Sequence, residues 1–199
     1  MKPRQTRKVP RIRGRDHVYT LRITLRDIQP PIWRRLVVRA HTSLAELHEI
    51  LQDVVGWQNY HLWGFTIGPS LYEAPDPEAS GLDATKVTLK TLGVAAGSTF
   101  EYLYDAGDDW VHEVAVEDVH PADPELAYPV CVGGARACPP EDCGGPHRYG
   151  EILEMLQDPK HAGFAELADW IGDSFHPEAF DLRATNRILM LAYGGGGAV

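Results

Sequence analysis

Apolar and polar residues alternate from Val18 to Arg26, which is the pattern of a strand with one buried face. The apolar positions of this stretch are Tyr19, Leu21, Ile23 and Leu25. Pro30 and Pro31 interrupt the alternation, and the apolar run of residues 32–38 predicts a second strand. A hairpin is the simplest way to pair these two strands.

Helical spacing replaces the alternation after Ser43. Ser43 and Glu46 have the spacing of a capping box, in which each side chain bonds a backbone amide of the first helical turn. The apolar positions that recur at helical spacing are Leu44, Leu47 and Leu51. Gly56 supplies the stop, so these residues predict one helix between Ser43 and Gly56.

Three more strands are predicted in the middle of the chain. The residues that share one face of the first are His61, Trp63, Phe65 and Ile67. Residues 99–104 and 110–116 predict a hairpin around the turn at residues 105–109. Before the hairpin, the Pro-rich and acidic residues 69–85 predict an exposed loop, and residues 87–89 predict a short strand or turn.

The last third of the chain has helical periodicity. Residues 149–157 and 164–171 predict two amphipathic helices, and Asp181 can cap a third. The order strand, strand, helix, strand, strand, strand therefore predicts an α+β fold. We expect a β-grasp-like mixed sheet with the C-terminal helices packed on it.

Charge is distributed unevenly along the chain. Residues 1–15 hold seven of the 19 Lys and Arg and no acidic residue, although the formal net charge is −9. We therefore expect a disordered basic arm at residues 1–16, a single domain at residues 17–193 and a flexible glycine tail at residues 194–199. The domain is acidic and repels phosphate, so weak nucleic-acid contact is expected only from the arm, which could instead contact an acidic partner or aid solubility.

Composition bears on the compartment and on the class of protein. The 199 residues contain no apolar run as long as a membrane span and no apolar leader at the N-terminus. The three cysteines are an odd number, so we expect reduced thiols in the cytoplasm and no membrane association. The sequence also lacks a phosphate-binding glycine loop, a nucleophile elbow and an HExxH helix.

All three cysteines lie within residues 131–143. This segment is so rich in Gly and Pro that we predict an irregular loop. Cys131, Cys138 and Cys143 could bind zinc together with a histidine, could form a redox pair, or could be small buried residues. His112 is the preferred fourth zinc ligand, and the other candidates are His61 and His147.

A second group of candidate residues surrounds the predicted hairpin turn. Asp105, Asp108 and Asp109 with His112 could hold a divalent cation or activate a water molecule. Asp and Gly are also what a tight hairpin turn requires for its backbone. Between two of the thiols, Glu141 and Asp142 could orient a metal ligand or could be solvated loop residues.

Several segments together resemble the plasmid pRiA4b ORF-3-like family over residues 17–190. These segments are Tyr19–Leu25, Pro30–Arg35, Thr42–His48, Gly56-Trp57, His61-Leu62 with Phe65, Tyr104–His112, Tyr128–Cys131, Ala137–Gly145 and Phe180–Leu182. The runs Cys-Pro-Pro-Glu-Asp-Cys-Gly-Gly and Gly-Asp-x-Trp-x-His are the most specific.

The resemblance implies a largely uncharacterised protein associated with plasmids and mobile elements, some of whose relatives are labelled resolvase-like. It also implies that a shared site is formed by His61, Asp105, Asp108, His112, Cys131, Cys138, Glu141, Asp142 and Cys143. Relatives often have a second histidine where this chain has Trp63.

Three functions are consistent with these observations. The leading hypothesis is a non-enzymatic module that binds a protein or small ligand and whose cysteine loop is pinned to the sheet by zinc. The first alternative is a metal-dependent hydrolase or nuclease that uses Asp105, Asp108 or Asp109 with His112. The second is nucleic-acid binding through residues 1–15.

Overall fold

Eight strands form one sheet in the computed structural model, which describes residues 16–172 and 175–194. The strands are β1 (His17–Leu25), β2 (Trp33–Arg39), β3 (Trp63–Ile67), β4 (Ser70–Glu73), β5 (Leu82–Asp83), β6 (Thr99–Tyr104), β7 (Trp110–Pro121) and β8 (Val130–Ala135). The helices are α1 (Leu44–Val55), α2 (Leu89–Leu92), α3 (Gly145–Gln157), α4 (Phe164–Ile171) and α5 (Leu182–Tyr193). The predicted α+β class is confirmed.

The order of strands across the sheet is β5-β4-β3-β6-β7-β1-β2-β8. Both predicted hairpins are present, β1 with β2 and β6 with β7, and β1 lies between β2 and β7. Every pairing is antiparallel except that of β4 with β5 at one edge. The β-grasp-like order that we expected is not confirmed by this arrangement.

Local sequence signals set the position of α1. The Ser43 hydroxyl accepts a hydrogen bond from the backbone N–H of Glu46 at 3.2 Å, and the Glu46 carboxylate accepts one from the backbone N–H of Ser43 at 2.7 Å. Gly56 ends the helix with φ +87°. The buried leucines of α1 join the core of the sheet, as their spacing predicted.

One prediction for the region between β3 and β6 is wrong, and a second is correct in part. Residues 69–85 are not simply an exposed loop, because they contain β4, β5 and the start of a 3-10 helix (Ala84–Lys86). Residues 87–89, for which we predicted a short strand or turn, form one isolated antiparallel bridge, between Thr88 and Ser43, and Thr88 also caps the short helix α2 through the backbone N–H of Thr91. β4 pairs with β3 across the two-residue turn at Gly68 and Pro69, and β5 then pairs with β4 in parallel. The Pro-rich and acidic composition of the segment does not reveal either pairing.

The prediction of an irregular loop throughout residues 131–143 is also wrong, because Cys131 lies on β8. The glycines of β8 allow close packing at the edge of the sheet. A Cβ on Gly134 would lie 2.6 Å from the Phe180 ring, which itself stacks on the Arg34 guanidinium at 4.4 Å. Glycine is therefore required at position 134 of β8, because any larger residue would displace the Phe180 ring from Arg34.

Helix α5 covers the end of the sheet near β8. The Asn186 side chain accepts a hydrogen bond from the backbone N–H of Cys131 and donates one to its carbonyl, both at 2.8 Å. The Tyr193 hydroxyl donates to Asp53 on α1 at 2.7 Å. Asp181 caps α5 as predicted, and α4 has the predicted bounds.

Most of the predicted arm and tail, residues 1–15 and 195–199, lies outside the described residues. No helix within residues 16–172 or 175–194 has both the length and the apolar character that crossing a bilayer requires.

Replacing Gly134 with alanine should destabilise the fold by roughly 1–3 kcal/mol, because the new methyl group collides with the Phe180 ring. Gly133→Ala is the matched control, since its Cβ would meet only an ordinary contact of 3.4 Å with Trp33. Urea denaturation measures both free energies of unfolding. Equal stability of the two variants would contradict this account of the β8 edge.

Candidate functional site

The turn between β6 and β7 meets the loop that follows the second cysteine. The backbone N–H of Gly144 donates to the Asp108 carboxylate at 2.9 Å. Gly145 has φ +79°, and a Cβ there would lie 2.5 Å from the Asp108 carbonyl oxygen. The two loops can approach this closely only because the second of them has glycine at this position.

The segment between α1 and β3 holds the same loop from another side. The Trp57 indole N–H donates to the Pro139 carbonyl at 2.8 Å. The backbone N–H of Gln58 donates to the Glu141 carboxylate at 2.6 Å. Residues 139–145, which we call the acid loop, are therefore fixed by two separate segments of the chain.

One imidazole and two carboxylates meet where these segments converge. The Nε2 atom of His61 lies 3.6 Å from Asp105 Oδ2 and 3.1 Å from Asp142 Oδ1. One potential ligand atom from each of the three residues lies within 4.8 Å of the others. Asp105 is nearly buried, whereas the Asp142 side chain is 69% exposed. We call His61, Asp105 and Asp142 the acid–imidazole cluster.

Glu141 adds a third carboxylate beside this cluster. Its Oε2 atom lies 3.9 Å from His61 Nε2, and its side chain is only 12% exposed. The Tyr104 hydroxyl donates to Glu141 at 3.0 Å. Burial, together with the adjacent Glu141 charge, raises the pKa of Tyr104 to about 12, so the phenol keeps its proton at neutral pH. Glu141 is thereby held in place beside the cluster.

Backbone geometry brings both aspartates of the cluster into position. Asp105 and Asp142 each have φ +56°, a left-handed conformation that Asp tolerates better than most residues. Asp105 is further held because its carboxylate accepts from the Gly107 N–H and its own N–H donates to the Leu62 carbonyl, both at 2.9 Å. The turn thus fixes a nearly buried carboxylate against His61.

The charges of the cluster are unbalanced. Asp105, Glu141 and Asp142 form salt bridges only with His61 within the part of the chain that the structure describes, and no Lys or Arg there pairs with any of them. The His61 Nε2 atom is buried and makes no hydrogen bond of good geometry. Hydrogen bonds from Gln58 and Tyr104 to Glu141, and from Gly107 to Asp105, offset part of the cost of burying these carboxylates, but His61 is the only basic side chain of the described residues that faces them.

The three thiols are free and have three different environments. Cys131 donates to the Gly133 carbonyl at 3.3 Å, and Cys138 accepts from the Arg34 guanidinium at 3.5 Å. Cys143 lines a groove beside α3. Burial raises the pKa of Cys131 and Cys138, and burial with the nearby Asp108 raises that of Cys143 to about 12, so all three favour the thiol form.

The predicted zinc set is not brought together by these positions. Across residues 16–172 and 175–194, Cys131, Cys138, Cys143 and His112 do not form a group of ligand atoms within 4.8 Å. His147 does not pair with the other candidates either. Its side chain is 91% exposed and pairs with Glu151 on the next helical turn.

His112 belongs to the core and not to the acid–imidazole cluster. Its Nδ1 atom donates to the Trp110 carbonyl at 3.1 Å, and its Nε2 atom is buried without a partner. A cavity of about 10 Å³ adjoins His112, Arg34 and Cys138, which is close to the minimum space for one water molecule. Arg34 also donates to the Val54 and Ala135 carbonyls, so backbone oxygens satisfy this buried guanidinium.

The remaining candidates lie close to the cluster without entering it. Asp108 holds Gly144, as described, and Asp109 is exposed in the same turn. Trp63 stacks on the His48 ring with centroids 4.0 Å apart. The residues that sequence reasoning did not assign are Trp57, Gln58 and Tyr104, because their part in fixing the acid loop depends on contacts across more than 35 residues.

Comparisons with known proteins agree with this architecture. The model of the plasmid pRiA4b ORF-3-like protein family matches residues 17–184. The uncharacterized protein y4hQ of Sinorhizobium fredii is 38% identical over 165 residues, which cover 81% of this chain and 84% of that protein. The crystal structure of a protein of unknown function, MM3350 from Methanosarcina mazei Go1, superposes with a TM-score of 0.80 at 33% identity and covers 84% of this chain and 97% of that one.

Two buried histidines should make stability fall in mild acid. Burial lowers the pKa of His48 and His112 to about 4, so both stay neutral in the fold while the unfolded chain gains protons near pH 6.5. Stability is therefore full above pH 6.5 and is lost as the pH falls toward 4. Each histidine should cost about 2 kcal/mol of unfolding free energy between pH 7 and pH 5.

Urea denaturation of His48→Gln at both pH values checks this linkage, and the variant should lose about 2 kcal/mol less than the wild type. His147→Gln is the control, because that side chain is 91% exposed. A pH dependence unchanged by His48→Gln would show that this ring is not buried in its neutral form.

Proposed function

The chain belongs to the plasmid pRiA4b ORF-3-like family, and we propose that it is a binding module that holds one divalent cation in the acid–imidazole cluster. His61, Asp105 and Asp142 supply the ligand atoms. Glu141 lies beside them and either completes the set or holds its geometry through Tyr104. The cation joins the β6–β7 turn to the acid loop.

The unbalanced charge of the cluster is the observation that carries this proposal. Three carboxylates lie within 4.0 Å of a single imidazole nitrogen, and two of them are nearly buried. A proton on His61 would neutralise only one of the three negative charges. A divalent cation bound to the neutral ring would neutralise two, and it would also give the buried Nε2 lone pair a partner.

The spacing of the ligand atoms suits a small cation. Atoms bound at about 2.0–2.2 Å from one ion at tetrahedral angles lie roughly 3.3–3.6 Å apart. The His61 Nε2 atom is 3.6 Å from Asp105 Oδ2 and 3.1 Å from Asp142 Oδ1, so small side-chain rotations are enough. One imidazole with carboxylates favours Zn²⁺ or Mn²⁺ over Mg²⁺ and Ca²⁺, which prefer oxygen alone.

Calorimetric titration of the metal-free protein with Zn²⁺ or Mn²⁺ tests the site. We expect one ion per chain, and Asp105→Asn should weaken binding about tenfold or more, because the variant keeps the turn but loses a charged ligand. Asp109→Asn is the matched control. Asp109 has the same φ of +56° in the same turn but is exposed and lies outside the cluster.

Three outcomes separate the alternatives. Failure to bind either ion would refute the proposal, as would equal weakening in Asp105→Asn and Asp109→Asn. Zinc binding that survives Asp105→Asn but is lost in Cys138→Ser would place the ion on the thiols instead. The nucleic-acid hypothesis depends on residues 1–15, which lie outside the described residues, and it stays a prediction.

A metal-dependent hydrolase is the second candidate, and the exposure of Asp142 favours it. Its side chain is 69% exposed, so an ion in the cluster would face solvent on that side. Catalytic sites typically have three protein ligands and one open position, where a bound cation lowers the pKa of water. In this hydrolase the substrate would react at the ion bound by His61, Asp105 and Asp142, and His112 would take no part.

Hydrolysis of bis(p-nitrophenyl) phosphate by the Zn²⁺- or Mn²⁺-loaded protein tests this candidate. His61→Gln should reduce the rate by about 100-fold or more, because the variant loses a ligand of the ion. His112→Gln should retain the rate per folded molecule, since its ring belongs to the core. Absence of turnover in the loaded wild type, or an equal loss in both variants, would exclude the hydrolase.

A further inference from the structure

A groove of about 360 Å³ lies between α3 and α4, directly beside the cation site proposed above. Asp142 belongs to both, because it lines the groove and its carboxylate lies 3.1 Å from His61. A molecule in the groove would therefore reach the exposed side of the cluster. The volume falls within the range of small-molecule sites, about 300–1,000 Å³.

Apolar side chains form about half of the walls of the groove. The side chains that form them include Ile152, Met155, Leu167 and Trp170. Trp170 is 51% exposed although it lies beside buried Leu167. An indole left half open over a groove is a surface on which a flat or aliphatic group can pack.

Two charged residues line the groove with Asp142. The Arg148 side chain is 52% exposed and bonds Glu151 at 2.6 Å through one nitrogen, so other guanidinium donors remain. Glu166 has the opposite charge and also lines the groove. Cys143 adds no charge, because burial and Asp108 raise its pKa to about 12.

We propose that this groove binds a small organic oxyanion, a phosphate or carboxylate attached to an aromatic or aliphatic body. The oxyanion would lie between Arg148 and the cation at Asp142, and the body would pack against Met155 and Trp170. This inference rests on the proposed cation site for one of its two positive charges. Arg148 supplies the other, in the charge-assisted geometry that guanidinium offers to phosphate and carboxylate.

The size of the groove favours a small molecule over a segment of a partner protein. A helix or strand of a partner protein needs a continuous surface of at least about 1,000 Å² of buried area. The groove between α3 and α4 offers only one exposed aromatic side chain, Trp170, within about 360 Å³. A single small molecule is the occupant that this space and charge pattern fit.

Titration of the Mn²⁺-loaded full chain with phenyl phosphate and with benzoate, followed by calorimetry, tests the groove. At least one of the two should bind, and the free anions phosphate and formate should bind at least tenfold more weakly, because they lack the apolar body. Arg148→Gln and Trp170→Ala should each weaken binding about tenfold. Glu166→Gln should strengthen it, since a like charge is removed.

Arg26→Gln is the matched control, because Arg26 is similarly exposed and also pairs with one glutamate, Glu101, outside the groove. It should leave binding unchanged. Binding of Mn²⁺ without binding of phenyl phosphate or benzoate would overturn the groove and leave the cation site standing. Binding that is equal in the wild type, Arg148→Gln and Trp170→Ala would overturn it as well.

A titration in excess EDTA distinguishes the contribution of the cation to binding from that of Arg148. We expect phenyl phosphate or benzoate to bind at least tenfold more weakly without the cation. If binding in EDTA is unchanged yet still depends on Arg148, the anion does not contact the cluster, and the part of the inference that joins groove and cation is wrong.

Discussion

The close approach of the acid loop to the β6–β7 turn is the constraint on which the site depends. The peptide at Gly145 passes so near the Asp108 carbonyl that a single Cβ would stand 2.5 Å from it. Gly144 adds a hydrogen bond to the Asp108 carboxylate. Without this contact the carboxylate of Asp142, which the loop supplies, would not be held 3.1 Å from His61.

This constraint places negative charge where the fold does not neutralise it. The contacts that fix the acid loop are hydrogen bonds whose donors carry no charge, namely the Trp57 indole and the backbone N–H groups of Gln58 and Gly144. They position Glu141 and Asp142 without contributing positive charge. The contacts that fix the loop and the negative charge that the proposed cation would balance therefore have separate origins, and a variant such as Asp105→Asn can reduce that charge while the contacts persist.

Sequence reasoning succeeded where the signals are local. The capping box at Ser43, the stop at Gly56 and the alternation in β1 each depend on residues less than one strand or helix apart. It failed for β8, because the glycines of this strand are typical of a loop. The structure shows instead that the Phe180 ring occupies the space that a side chain at Gly134 would need. It named His61, Asp105 and Asp142 as candidates, but their meeting depends on contacts between three distant segments.

The cysteines show why proximity along the chain misled the choice of ligands. Cys131 lies on β8, where its backbone pairs with Leu36 and Asn186, whereas Cys138 has already left the sheet and bonds Arg34. After Asp142, with φ +56°, the chain carries Cys143 into the groove wall beside α3. The loop thus gives its sulfurs different hydrogen-bond partners and directs a carboxylate to His61. The chemistry that converges is that of oxygen and imidazole, which favours a harder cation than a set of three thiolates would.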